Sequence, residues 1–177
     1  MTTKLARINT YFAAAVLLLL VAATGCASNP KSKEEKDRTL LSLHLQTDQE
    51  GGPKIKHVAV FRQAPMYVNI ESDPYVDSGS IEGAAVLDDA GAFSIQLKFN
   101  NHGAMQLDQM TSGNHGKRVI IFCKWDDEIR WIGAKVINRR SSDGIFVFTP
   151  DATREEAGRI VRGLNNVAKE LKKKDKF

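Results

Sequence analysis

The sequence predicts an α+β fold: a mostly antiparallel sheet with two helices packed on one face. Three observations lead there. Six or seven short runs have strand chemistry. Most of them follow one another through turns of hairpin length. Only two segments have helical periodicity, one in mid-chain and one near the end. Strands joined directly to strands favour antiparallel pairing over the crossovers of an α/β fold.

Residues 1–25 come first and have three parts. Lys4 and Arg7 make a positive start, residues 11–23 are an unbroken apolar run, and Ala23-Thr24-Gly25-Cys26 follows. The apolar run is shorter than the roughly 20 residues that span a bilayer. It fits the core of an export signal. The motif at its end resembles a lipobox, with small side chains up to Gly25 before the cut and Cys26 as the acceptor of lipid. That resemblance implies covalent diacylglycerol and an N-acyl chain on Cys26, and no other cofactor. An unlipidated secretory signal and an uncut anchor are the alternatives, and the order of the three parts favours the lipoprotein. Ala27 in place of Asp resembles enteric lipoproteins sorted to the outer membrane, in an envelope facing the periplasm. One acyl chain holds a membrane only marginally, whereas several hold it stably.

Cys26 is followed by residues 27–38, which are charged and, apart from Pro30, carry no apolar side chain larger than Ala. Residues 26–38 read as the lipidated cysteine and a flexible tether. Residues 39–177 then form a single domain.

Within it, residues 39–47 alternate Leu41, Leu43 and Leu45 with Ser42, His44 and Gln46, a strand with one buried face. Short strands follow at 58–61 and 66–70. Residues 72–79 read as a polar loop, and 81–87 fit no single pattern. Residues 92–99 are the clearest strand, with Phe93, Ile95, Leu97 and Phe99 on one side. Asn100 or Asn101 caps a helix that runs to about Thr111. Residues 119–125 and 129–138 form a hairpin around Asp126-Asp127-Glu128, and 145–148 is the last strand. Thr153 and Glu156 make a capping box. The helix after it carries a stripe of Ala157, Ile160, Val161, Leu164, Val167 and Leu171.

Charge excludes little but points away from nucleic acid. Removing Lys4 and Arg7 with the leader leaves 23 basic against 21 acidic side chains. The basic run at 169–176 includes Glu170 and Asp175 and reads as a solvated helix end. His44, His57, His102 and His115 have no metal-ligand spacing and read as surface residues. Asp88-Asp89 and Asp126-Asp127 fall in turns, where Asp is favoured for local hydrogen bonds. No phosphate loop, dinucleotide fingerprint or nucleophile elbow occurs. The expectation is no enzymatic activity and no metal. Cys123 reads as a small buried residue, with an intermolecular disulfide ranked below that.

Trp125 and Trp131 flank the acidic hairpin tip. They read either as a packed cross-strand pair or, with Asp126 and Asp127, as a contact patch for a partner.

The order of pieces resembles a known family. Residues 93–107, Phe-Ser-Ile-Gln-Leu-Lys-Phe-Asn-Asn-His-Gly-Ala-Met-Gln-Leu, look like a strand, Asn/Glu, Gly-Ala and helix segment of SecD. SecD is a subunit of the bacterial preprotein translocase, and the resemblance is to the head subdomain of its large periplasmic domain. Residues 111–125, Gly133-Ala134-Lys135-Val136-Ile137, and Phe148 with 153–164 continue the likeness. It covers roughly residues 65–164. Lys135 stands where that family has a proline, and the hairpin has Asp126-Asp127-Glu128 in place of Asp-Gly. The resemblance implies a SecD-head-like fold and contact with polypeptide. No transmembrane bundle follows it in this sequence. The functional expectation is a non-catalytic lipid-anchored envelope module that binds a protein or peptide and assists export. The alternative is a structural or self-associating envelope lipoprotein. Membrane contact is expected through the lipid alone.

Overall fold

The structure is a computed structural model that describes residues 37–174. The leader, Gly25, Cys26 and most of the tether lie outside the described residues.

The elements are β1 (Thr39–Leu45), β2 (Ile55–Val60), β3 (Met66–Glu71), β4 (Val76–Asp77), a 3-10 turn (Ser78–Ser80), β5 (Ile81–Asp89), β6 (Ala92–Phe99), α1 (Asn101–Gly113), β7 (Arg118–Trp125), β8 (Glu128–Val136), β9 (Ile145–Phe148) and α2 (Arg154–Lys174). The fold class is α+β, as the sequence predicts. The strands form three sheets: β4-β1-β7-β8, β5-β6-β9 and the ribbon β2-β3. Every pairing within them is antiparallel.

The strands outnumber the six or seven expected because β4 and β5 were not legible. β4 is a two-residue stretch inside the polar loop, held against Ser42 and Leu43 of β1. β5 shows no clear alternation where α2, rather than another strand, lies along its free edge. There Asn165 of α2 donates to Ala84 O at 2.9 Å and accepts from Ala84 N at 2.9 Å, so its amide imitates a neighbouring strand and closes the β5 edge.

Two clusters of apolar side chains lie on opposite faces of the four-stranded sheet. Leu41, Leu43, Val119, Ile121, Cys123 and Trp125 face the helices and the β5-β6-β9 sheet, meeting Leu107, Met110, Ile160 and Leu164. Ile120 faces the other way, onto Val58, Val60, Val68 and Ile70 of the β2-β3 ribbon. The ribbon changes the status of His44. It occupies the polar side of β1 but is 6 % exposed, because the ribbon covers that side. Its Nδ1 lies 2.9 Å from Glu71 O, which can only accept, so Nδ1 carries the proton. Nε2 then accepts from Ser42 Oγ at 2.9 Å. Burial pushes the His44 pKa down, which the bond to Glu71 O only partly offsets.

Both helices are capped as expected. Asn100 accepts from Gly103 N at 2.9 Å. Glu156 accepts from Thr153 N at 2.6 Å while Thr153 Oγ1 accepts from Glu156 N at 3.1 Å. A cap of this kind contributes about 1 kcal/mol. Of the α2 stripe, Ala157, Ile160, Leu164 and Val167 are buried, joined by Gly163 and Ala168, while Val161 and Leu171 are half-buried.

The two glycines of α2 have opposite consequences. A Cβ on Gly163 would lie 2.2 Å from Thr39 Oγ1 and 2.9 Å from Thr39 N, whereas one on Gly158 meets nothing within 4 Å. In urea unfolding, Gly163→Ala is expected to lose about 1–3 kcal/mol through overpacking. Gly158→Ala is expected to gain up to about 1 kcal/mol from helix propensity. Stabilisation by both changes would refute the close approach of α2 to β1.

His44 has its own pH signature. Its folded pKa lies below the ordinary value of about 6.5, so the unfolded chain binds more protons between the two. Stability should therefore fall as pH drops below about 6.5 and stop responding to His44 below its folded pKa. Unfolding midpoints at about pH 7.5 and about pH 5 should differ more in the wild type than in His44→Gln. An equal difference would place the pH dependence elsewhere.

Candidate functional site

The hairpin β7-β8 sets out the candidate site, and its turn decides which side chains meet. Trp125 pairs with Glu128, leaving Asp126 and Asp127 as a two-residue turn with Asp126 at φ 47°. Positive φ at the first turn position suits the primed hairpin turns, and Asp tolerates it. Trp131 then pairs with Phe122, three residues from Trp125 and so on the opposite face. The two tryptophans therefore do not form the cross-strand pair expected from a three-residue tip. One residue fewer in the turn flips the parity of everything after it.

Trp125 is 1 % exposed and belongs to the helix-side core. The Arg130 guanidinium lies over its ring, 4.8 Å from the centroid. Its Nε1 is buried without an acceptor among the described residues. With so little surface it offers nothing to a partner. Trp131 is half-buried on the other face, 5.0 Å from the Phe122 ring and 5.1 Å edge-on from the His44 ring. Asp126 and Asp127 are exposed, and Asp126 is 3.4 Å from Arg159 of α2.

A second feature of β8 was not foreseen. Between Ile121 and Phe122 the register shifts, so that Ile132 is an extra residue in β8. Without the bulge Lys135 would stand opposite Arg118, cation beside cation. With it, Lys135 stands opposite Val119 on the helix-side face. There it lies beside β9, the outer strand of the β5-β6-β9 sheet.

β8 and β9 are thus two sheet edges that face each other without pairing. Ile137 exchanges bonds of 2.9 Å with Gly116 and Lys117, which turns its backbone toward β7. By strand alternation the N–H and C=O of Ala134 and Val136 point away from β7. They have no hydrogen-bond partner among the described residues. The carbonyl of Ile132, pointing the same way, is already taken by Asp151 N at 2.6 Å. On the facing edge, Ile145 N–H donates to Asp143 Oδ1 at 3.0 Å, and the one Ser141 hydroxyl proton is shared between Ile145 O at 2.9 Å and Asp143 Oδ1 at 3.1 Å. Lys135 Nζ donates to Val147 O.

The gap holds a cavity of about 230 Å³ over Val119, Ile137, Ile145 and Phe146. A more open space of about 440 Å³ lies beyond it, beside Ala134, Phe148 and Thr149. Lys135 lines both. Its ammonium sits 5.4 Å from the Phe146 centroid. Burial, then the charge of Arg139, lowers its pKa. It has no ion pair among the described residues. Asp143, across the gap, is committed to Ile145 N–H and Ser141 Oγ, which with Arg139 hold its carboxyl below the usual range.

A cleft with an apolar floor, free strand-edge groups on one wall and an unpaired cation can hold an extended chain by strand addition. Among the described residues no group of three or more His, Cys, Asp or Glu is placed to hold a metal. His57 stacks on Tyr67 at 5.7 Å, and His115 Nε2 lies 3.0 Å from Asn138 O. Burial pushes the Cys123 thiol up, so it stays protonated and inert. The one trace of this cleft in the sequence is Lys135, a cation within the apolar run of β8.

No family model matches the chain, and no curated protein matches it. Solved structures do. A structure of SecDF, described as a membrane component that enhances protein export, is 17 % identical with a TM-score of 0.53, covering 81 % of this chain and 71 % of that one. SecDF in a super-membrane-facing form is 16 % identical with a TM-score of 0.53, covering 78 % of this chain but only 21 % of that one. At this identity the likeness establishes the fold, which is SecD-head-like.

Lys135 is poorly placed for stability, and that is testable. Lys135→Met removes a partly buried charge and loses one hydrogen bond to Val147 O. The two effects oppose, so unfolding free energy should stay within about 1 kcal/mol of wild type. A loss above about 2 kcal/mol would make Lys135 a structural pin between the sheets.

Proposed function

We propose that this chain is a non-catalytic, lipid-anchored envelope module that binds extended polypeptide in the β8-β9 cleft and assists protein export. One observation carries the reading: the outward backbone groups of Ala134 and Val136 face a cleft and have no partner among the described residues, although such edges are ordinarily covered or blunted. An incoming segment would pair with them as a further strand, with backbone bonds giving affinity whatever its sequence. That generality suits a protein that meets many exported chains. The fold shared with SecDF, which enhances protein export, supports the same reading. The lipobox-like Ala23-Thr24-Gly25-Cys26 supports anchoring at the envelope, with the outer membrane favoured by Ala27.

A second reading has its own observation. Leu40, Lys124 and Ile129 are cross-strand neighbours on the ribbon-side face, and Leu40 and Ile129 are 53 % and 58 % exposed. This row lies close to Asp126 and Asp127 and suits one fixed partner, which would make the chain a structural envelope component.

Photo-crosslinking in living cells separates the two, with the probe at Val136, at Ile129 and, as a control, at Met105 of α1. The polypeptide reading expects many different exported chains captured from Val136 and none from Met105. Replacing Cys26 by Ser should remove the lipid mass from the purified chain and weaken capture. Adducts from Ile129 alone, to a single envelope protein, would reject the export reading in favour of the structural one.

A further inference from the structure

We propose that the cleft selects extended segments carrying an acidic side chain opposite Lys135 and a large apolar side chain two residues away, toward Ile137. This rests on the cleft being a polypeptide site at all, and adds what it prefers.

The chemistry follows from strand addition on β8. A segment bonded to the outward groups of Ala134 and Val136 puts one residue directly across from Lys135, with Cβ atoms roughly 5 Å apart. Cross-strand neighbours of opposite charge attract, and Lys135 has no acidic partner among the described residues. Its surroundings sharpen the preference. The ammonium is partly desolvated against Phe146, and Arg139 adds positive potential. The acid across the gap, Asp143, is held by Ile145 N–H and Ser141 Oγ. A carboxylate from outside would return to Lys135 what burial takes away.

The apolar requirement has a separate origin. Side chains two apart on a strand share a face. The residue two positions on would stand opposite Ile137, over the cavity of about 230 Å³ floored by Val119, Ile145 and Phe146. A large aliphatic or aromatic side chain fills that space. The carboxylate is a side chain rather than a chain end because the cleft continues past Lys135 on both sides, and a terminus there would leave one side empty. The bulge at Ile132 is the device that makes the site. It turns a lysine that would have stood beside Arg118 into the cleft.

The test uses the full-length chain in detergent micelles and short fluorescent peptides of alternating apolar and polar residues, read by anisotropy. One peptide, capped at both ends, carries Glu at its centre. A second, also capped, carries Gln there, and a third carries Gln with a free C-terminal carboxylate. Wild type should bind the Glu peptide about three- to fivefold tighter than capped Gln. Lys135→Gln should abolish the difference, and Val136→Pro, which removes an outward N–H and blocks the edge, should abolish binding of all three. Melting curves establish that each variant is folded. Equal binding of Glu and Gln peptides by wild type overturns the acid preference and leaves the polypeptide reading standing. Preference for the free carboxylate alone overturns the side-chain assignment. If no peptide binds, or sizing shows that the edge pairs with a second copy, both readings fall.

Discussion

Strand β7 is the constraint on which the other parts depend. It is buried on both faces, with Val119, Ile121, Cys123 and Trp125 toward the helices and Ile120 toward the ribbon, and it is paired on both sides, to β1 and β8. A strand so enclosed has no freedom of register, because a slip of one residue would exchange its two apolar faces and misplace its neighbours on both sides. Its near-continuous apolar sequence is the expected mark of two-sided burial. Fixing β7 fixes where β8 ends its pairing, and so which backbone groups face outward into the gap beside β9.

Two single-residue events around β8 then distribute the side chains of the candidate site. The first is the turn: with Asp126 and Asp127 alone between the strands, Trp125 goes to the core and Trp131 to the ribbon side. The second is the bulge, which reverses parity again beyond Ile132 and delivers Lys135 to the cleft. Glu156 braces the hairpin from below. Burial opposes its charge, but the bond from Thr153 N–H and the cations Arg130, Arg62 and Arg159 outweigh that and keep its carboxyl below the usual range. Arg130 and Arg62 lie 3.2 and 3.4 Å from it, so the helix cap and the turn are joined by one set of charges.

Much of this was legible in the chain. Strands with strict alternation, β1 and β6, and the capped helices fell where their patterns put them. These signals are local: period, cap and turn each lie within a few residues. What was missed depends on distant partners. β5 hides because its free edge is closed by the Asn165 amide, 81 positions away, rather than by a neighbouring strand. His44 read as a surface residue because alternation reveals two faces but not what covers the second one. The cleft was invisible for a related reason, since it is made by two edges that fail to pair, and sequence patterns report pairing rather than its absence. The tryptophans show how thin the margin is: the residue types at the tip were read correctly, and one position in turn length reversed the geometry.

The attachment of β1 has a mechanical consequence. Arg162 of α2 holds the Asp37 carboxylate at 2.9 and 3.0 Å, and Asn166 donates to Asp37 O at 3.1 Å, so the chain is fastened to the helix just before β1 starts. The cleft lies at the far end of the same ladder, since Val136 pairs with Arg118 beside the pairing of Val119 with Leu45. Tension between an anchor upstream of Asp37 and a cargo strand seated on β8 would run along the strands. The β1-β7 ladder from Thr39 to Leu45 would be loaded in shear, with its bonds sharing the force together rather than being peeled one at a time. A domain strung this way would resist pulling most stiffly along the line from such an anchor to the seated strand.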